Sequence, residues 1–179
     1  VLMAGFDLPV RAIREQMDIL DEKSIAYDSC PGVSAFCGAA AALNLEYTLP
    51  DVSQSVVITR MAGRTPVPER ESIRSFAAHG ATMVVFLSTG LLEELSKELI
   101  AGGYSADTPA AIVYKATWPE ERKYLCTVGT LAQCAKENDV TKTALMLIGD
   151  AVTHTNYRRS DLYNPSFTTE FRQAKQVEP

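Results

Sequence analysis

Histidine is nearly absent from this chain. Its two histidines, His79 and His154, form no pair that could share a proton or a metal ion. No Ser-His-Asp order accompanies them, so a hydrolase-type nucleophile is not on offer. A Walker loop and a G-x-G-x-x-G fingerprint are missing too, which removes the common sequence routes to a nucleotide phosphate. The four cysteines (Cys30, Cys37, Cys126 and Cys134) make no C-x-x-C pair and no zinc spacing. They are expected to be small buried thiols in a reducing compartment. No apolar run approaches the ~20 residues of a membrane span, and no secretory leader is visible, so no membrane partner and a cytoplasmic location are expected. Positive charge is also short: 17 Lys and Arg against 22 Asp and Glu give −5. That balance argues against a duplex nucleic-acid partner but leaves room for a local basic pocket.

What is present fits a globular chain able to bury a core, with 46% hydrophobic and 22% charged residues among 179. Apolar spacing predicts a helix over 9–23, with Val10, Ile13, Met17 and Leu20 on one face. A short strand is expected over 25–28. A turn at Pro31-Gly32 leads to a helix over 35–45 that is apolar nearly all round and therefore expected to be buried on several sides, its start capped by the Ser34 hydroxyl. Residues 47–51 break the pattern and mark a candidate domain boundary. Beyond them the expected order is strand 54–60, helix 69–78, strand 81–87, helix 89–101 ended by Gly102-Gly103, strand 109–115, strand 123–127, helix 129–137 and strand 143–149. The tail from Asp150 is polar, with Tyr157, Tyr163, Phe167 and Phe171 as isolated anchors. Alternating strands and helices indicate α/β layers on a mostly parallel sheet.

Two loops carry the chemistry. Arg60-Met61-Ala62-Gly63-Arg64-Thr65-Pro66-Val67-Pro68-Glu69 leaves a β-branched strand as a stiff cationic turn at the C-terminal strand edge, where open α/β sheets bind ligands. Pro68-Glu69 reads as a first helical turn. Arg60 and Arg64 could clamp carboxylates there, or could simply be solvated. Lys115, before Ala116-Thr117-Trp118-Pro119, occupies an equivalent strand exit, or is a surface lysine with its stem along Trp118. Read alone, Pro31-Gly32-Val33-Ser34-Ala35 is an ordinary strand-to-helix turn. His79 is expected at a helix C-terminus. The residues by themselves lead to an α/β protein with a small-molecule site at strand ends.

Taken in order, these segments resemble the tetrapyrrole methylase family, whose members transfer methyl groups from S-adenosylmethionine. The resemblance rests on Ala12-Ile13-Arg14-Glu15-Gln16, Cys30-Pro31-Gly32-Val33-Ser34, Tyr47-Thr48-Leu49-Pro50-Asp51, the 58–69 arginine loop, Val113-Tyr114-Lys115-Ala116-Thr117-Trp118-Pro119 and the 160–168 tail. It is nearest to the members that methylate precorrin-type rings in cobalamin synthesis. It implies two α/β domains: the first (1–51) incomplete, the second (52–179) a mixed sheet with flanking helices and a polar tail. The methyl donor would lie between them, against Ser34, Ala35, Leu87, Tyr114, Lys115, Ala116, Thr143, Ala144 and Leu145. Arg60 and Arg64 would neutralise acid groups of a tetrapyrrole substrate. A homodimer is implied, no metal ligands are, and no catalytic base is identifiable.

Family members begin with a further strand and a glycine–proline-rich loop. Here Gly5-Phe6-Asp7-Leu8-Pro9-Val10-Arg11 departs from the family's next loop, so its donor contacts are not carried over. The expectation is therefore a C-terminal part of a longer enzyme that binds donor weakly by itself. A non-catalytic module and methylation at another ring position stay open as alternatives.

Overall fold

A computed structural model describes residues 2–4, 11–30, 32–153, 157–160, 164 and 166–174. Residues 5–10, Pro31, His154 and Tyr163 lie outside the described residues. Two short parallel strands, β1 (Leu2–Ala4) and β2 (Asp28–Cys30), flank α1 (Arg11–Glu22). Then follow α2 (Ala35–Leu43), β3 (Val56–Arg60), α3 (Ile73–Ala77), β4 (Thr82–Phe86), α4 (Leu92–Gly102), β5 (Pro109–Tyr114), β6 (Arg122–Thr127), α5 (Leu131–Glu137) and β7 (Ala144–Ile148).

The five later strands form one sheet in the order β3-β4-β7-β5-β6. Only β3 and β4 run parallel; β4–β7, β5–β7 and β5–β6 are antiparallel. The sheet is mixed, and the mostly parallel arrangement read from strand–helix alternation is corrected. Strands buried on both faces read as unbroken apolar runs, and such runs carry no direction. β5 and β6 are a hairpin, and β7 inserts between β4 and β5.

Period-two alternation sorts the sheet into two cores. Met83, Val85, Ala110, Ile112, Met146 and Ile148 face α3, α4 and α5 through Ile73, Leu95, Leu99 and Leu131. Val84, Phe86, Ala111, Val113, Leu145 and Leu147 face Ala39 of α2, together with Leu45 and Leu49. Apolar packing is thus continuous across position 51. Among the described residues no helix is long and apolar enough to cross a membrane.

Local chemistry sets the ends. α1 stops at Ser24, whose φ of 54° is left-handed. The Ile25 N–H then bonds the Leu20 carbonyl at 2.9 Å, a helix stop that uses up the residue expected to start a strand. β2 therefore begins at Asp28 and the 25–28 strand is corrected. The expected 69–78 helix is broken at Ser72, which is extended and accepts from the Ser75 N–H at 3.2 Å; residues 69–71 form a separate 3-10 turn. At the contact between α3 and α4, a β-carbon on Gly102 would stand 2.5 Å from the Arg74 carbonyl, so only glycine fits.

Three burial expectations are overturned. α2 touches the sheet along one side, leaving Cys37 and Ala41 exposed, so it is not buried on several sides. Cys30 and Cys37 are exposed, and Cys126 and Cys134 only half-buried. In the tail Phe171 is 94% exposed and anchors nothing.

Candidate functional site

The register brings the strand-exit residues to one edge of the large sheet. Arg60 pairs with Phe86 across β3–β4, and Tyr114 with Ala144 across β5–β7. Leu87, Lys115 and Thr143 follow or precede those pairs directly, and Lys115 N–H bonds the Thr143 carbonyl at 2.9 Å. All three are left-handed, with φ of 52°, 47° and 55°, as is Thr117 at 69°. A non-glycine residue there costs ~1–3 kcal/mol and persists where surrounding structure enforces it, often at ligand sites. Leu87 is also 76% exposed, an apolar side chain held in strain over open space.

That space is a cleft of about 710 Å³ lined by Arg60, Met61, Gly63, Arg64, Thr65, Leu87, Gly90 and Leu91. Arg60 does not reach into it as a free cation. Its Nη1 donates to the carbonyls of Met61 (3.0 Å) and Thr65 (3.1 Å), and its Nη2 donates to that of Pro66 (3.0 Å). Arg64 is exposed on the same loop. Ser88, fully buried, accepts from the Met61 N–H at 3.0 Å and donates to the Phe86 carbonyl at 2.7 Å. It ties the arginine loop to the turn after β4. Sequence reasoning passed over Ser88, because a serine after a strand reads as an ordinary turn residue.

The second group lies around β5 and α2. Lys115 Nζ sits 5.4 Å from the Tyr114 ring centre and 5.3 Å from that of Trp118, and 3.7 Å from Glu120. Arg122 covers Tyr114 at 4.6 Å. The lysine thus lies against Trp118 as one of its two sequence readings held, with its charge held by aromatic faces and a carboxylate. α2 meets this loop so closely that a β-carbon on Gly38 would fall 2.7 Å from Thr117 Cγ2 and 3.7 Å from Ala116 Cβ. The small residues of α2, its alanines and this one glycine, are expected from the sequence to permit such close approach, and the packing here bears that out at Gly38.

Ser34 opens α2 without capping it. Its carbonyl accepts from the Cys37 N–H at 3.0 Å, but its hydroxyl caps nothing, which corrects the expected hydroxyl cap. The Oγ is buried, in a residue only 9% exposed, and has no partner among the described residues. An orphaned buried hydroxyl costs about 1–3 kcal/mol unless something bonds it. Ala35 beside it is half-buried and small. A polar small molecule at this helix start would satisfy both the hydroxyl and the uncapped first-turn N–H groups. Ala144 and Leu145 differ from the other candidates: their side chains pack into the two opposite cores. Only Thr143 of that trio is exposed. His79 is exposed just past α3. No cluster of three or more metal-binding side chains occurs among the described residues.

Residues 10–132 match the family of Tetrapyrrole (Corrin/Porphyrin) Methylases. The chain is 42% identical over 163 residues to the cobalt-precorrin-4 C(11)-methyltransferase of Methanocaldococcus jannaschii, covering 91% of this chain and 63% of that one. It is 40% identical to the precorrin-4 C(11)-methyltransferase of a Sinorhizobium species, covering 90% and 64%. The crystal structure of a cobalt precorrin-4 methyltransferase, a cobalamin biosynthetic enzyme, superposes with a TM-score of 0.80 at 42% identity over 83% of this chain and 62% of the other. The chain spans less than two thirds of the length of these curated relatives. With the strand-edge cleft, the orphaned Ser34 and these likenesses together, the chain belongs to the tetrapyrrole methylase family.

Proposed function

We propose that this chain serves S-adenosylmethionine-dependent methylation of a precorrin-4-type tetrapyrrole, with or without cobalt, at C-11. The observation that carries the reading is 42% identity, over nine tenths of the chain, to an enzyme of that name. The site's geometry agrees with it. Ser34 and the uncapped start of α2 offer a hydrogen-bonding seat for the donor's polar groups, and Ala35 and Gly38 leave room for close approach. When bound, the donor supplies a sulfonium methyl to an electron-rich ring carbon. The chain's own part is then to align and enclose, which fits the absence of a catalytic base among the candidates. Arg64 faces the substrate's carboxylates at the cleft mouth, and Leu87 excludes water beside it.

The reading also takes residues 1–51 as the remainder of an N-terminal domain and 52–179 as the C-terminal domain. Two separate sheets support that division, although α2 lies against the second sheet. It further takes the protein to be a cytoplasmic homodimer with no nucleic-acid or membrane partner, which its acidic balance suits. The test is incubation of the intact gene product with precorrin-4 or cobalt-precorrin-4 and 13C-methyl-labelled S-adenosylmethionine. Carbon NMR is expected to place one new methyl at C-11. Unmethylated substrate would defeat the reading, and a methyl at another carbon would redirect it.

A further inference from the structure

The two arginines of the cleft do different work. We infer that Arg60 is a positioning residue that builds the 61–66 loop, and that Arg64 alone is the cation presented to an anionic substrate. This deepens the proposed function and rests on it for the identity of the ligand.

Three observations carry the inference. First, the Arg60 guanidinium already donates to three carbonyls, those of Met61, Thr65 and Pro66, at 3.0–3.1 Å. These lie at both ends of one short loop, so the planar fork closes it into a ring, a task that an ammonium on a flexible stem performs poorly. Carbonyls that turn inward toward Arg60 are also satisfied without water. Second, the ring is fastened from outside. Ser88 Oγ accepts from the Met61 N–H and donates to the Phe86 carbonyl, fixing the loop to the strained Leu87 turn. Within the ring the Gly63 N–H bonds the Thr65 carbonyl at 3.2 Å. Third, Arg64 stands between Gly63 and Thr65 within that ring and is exposed. It lines the cleft, and no hydrogen bond or ion pair holds it among the described residues. The direction in which Arg64 is offered is therefore set by Arg60.

A charge contact and a positioning fork respond differently to lysine. Binding of uroporphyrin III, a tetrapyrrole polycarboxylate, is followed by fluorescence at several salt concentrations, with hydrogen exchange read at the Met61 and Gly63 amides. Arg60→Lys keeps the charge but loses the fork. It is expected to weaken porphyrin binding about tenfold, as much as Arg60→Met does, and to speed exchange at both amides. Ser88→Ala is expected to loosen the Met61 amide and weaken binding in the same direction with no charge change. Arg64→Lys is expected to stay within about threefold of wild type, whereas Arg64→Ala weakens binding and flattens its salt dependence. Slow exchange in β4 and β7 checks that each variant is folded. Wild-type-like binding and loop protection in Arg60→Lys, with loss only in Arg60→Met, would overturn the inference. If the wild-type chain bound no porphyrin, the ligand reading would fall while the exchange arm still decided the role of Arg60.

Discussion

The two sheets of this molecule make opposite use of the same building rule. In the five-stranded sheet, β7 lies between β4 and β5, and Met83, Val84, Val85, Ile112, Met146 and Leu147 are wholly buried between helices on both faces. In the β1–α1–β2 unit no residue from 13 to 30 is buried. Ile13, Met17 and Leu20 of α1 are only half-covered, and Ile19 and Ile25 are exposed. Side-chain bonds on α1 lie at the surface, as between Arg14 and Asp18 and Asp21, and between Tyr27 and Asp21. Such exposed pairs contribute little. A strand pair with one helix can register its backbone but cannot enclose a face, whereas a sheet with helices on both sides encloses two. The candidate site draws on the second kind of scaffold. Apart from Ser34, Ala35 and Gly38 at α2, its residues sit at strand ends along one edge of the buried sheet, where strained turns such as Leu87 can be enforced.

The contrast is most sharply broken or upheld by hydrogen exchange. Amides of β4, β5 and β7 are expected to exchange only through global unfolding, and those of α1 and β2 through local opening. The expected gap is at least about a thousandfold in protection. Equal protection in the two units would show that the first is held by the second far more firmly than its burial suggests.

Side-chain truncation gives a smaller version of the same test. Leu147→Ala removes a fully buried side chain from the centre of one core. It is expected to cost about 2–5 kcal/mol in urea unfolding, because the surrounding strands cannot collapse into the gap. Met17→Ala on half-covered α1 is expected to stay below about 1 kcal/mol. Similar costs at both sites would mean that α1 packs against more than its surroundings here provide.

The same contrast governs what could be read from the residues alone. The runs 81–87, 109–115 and 143–149 announced buried strands because nearly every inner position is apolar, and Gly102-Gly103 marked the end of α4, where Gly103 has a positive φ. The direction of those strands was not legible, since β7 pairs with β4 across all of the intervening residues 87–143. β2 was misplaced because Ile25 looks like a strand residue yet completes the stop of α1. At the site, the arginine loop and the lysine exit were found as positions but not as contacts. Nothing in the string Arg-Met-Ala-Gly-Arg says that the first guanidinium turns back on its own carbonyls while the second stays open. Likewise, Ser34 looks like a cap in sequence and proves to be an uncapped, orphaned hydroxyl. Local propensity decides where an element begins; the partner of a long or polar side chain is decided by what tertiary packing leaves beside it.

Alkaline pH should find the difference at its smallest, because raised acid groups belong to the enclosed unit. Burial, and then the charge of Asp150, push the Tyr104 phenol up to about 12, and its hydroxyl donates to the Ala81 carbonyl. Burial, followed by neighbouring Cys134, pushes the Cys126 thiol up to about 12 as well. Burial likewise raises Tyr47, whose hydroxyl donates to the Phe36 carbonyl at 2.6 Å. In the unfolded chain these groups ionise near about 8.5 for the thiol and about 10 for the phenols. Above those values the folded state therefore holds protons that the unfolded state has released, so stability falls as pH rises. It should be complete below about pH 8.5 and decline progressively toward about pH 12. Tyr104→Phe is expected to lose about 1 kcal/mol at neutral pH with its hydrogen bond, and to show a shallower decline above about pH 10 than wild type. Urea unfolding across that range measures both. A wild-type stability that stayed flat to about pH 11 would mean that water reaches these side chains, and that the large core is less enclosed than its packing indicates.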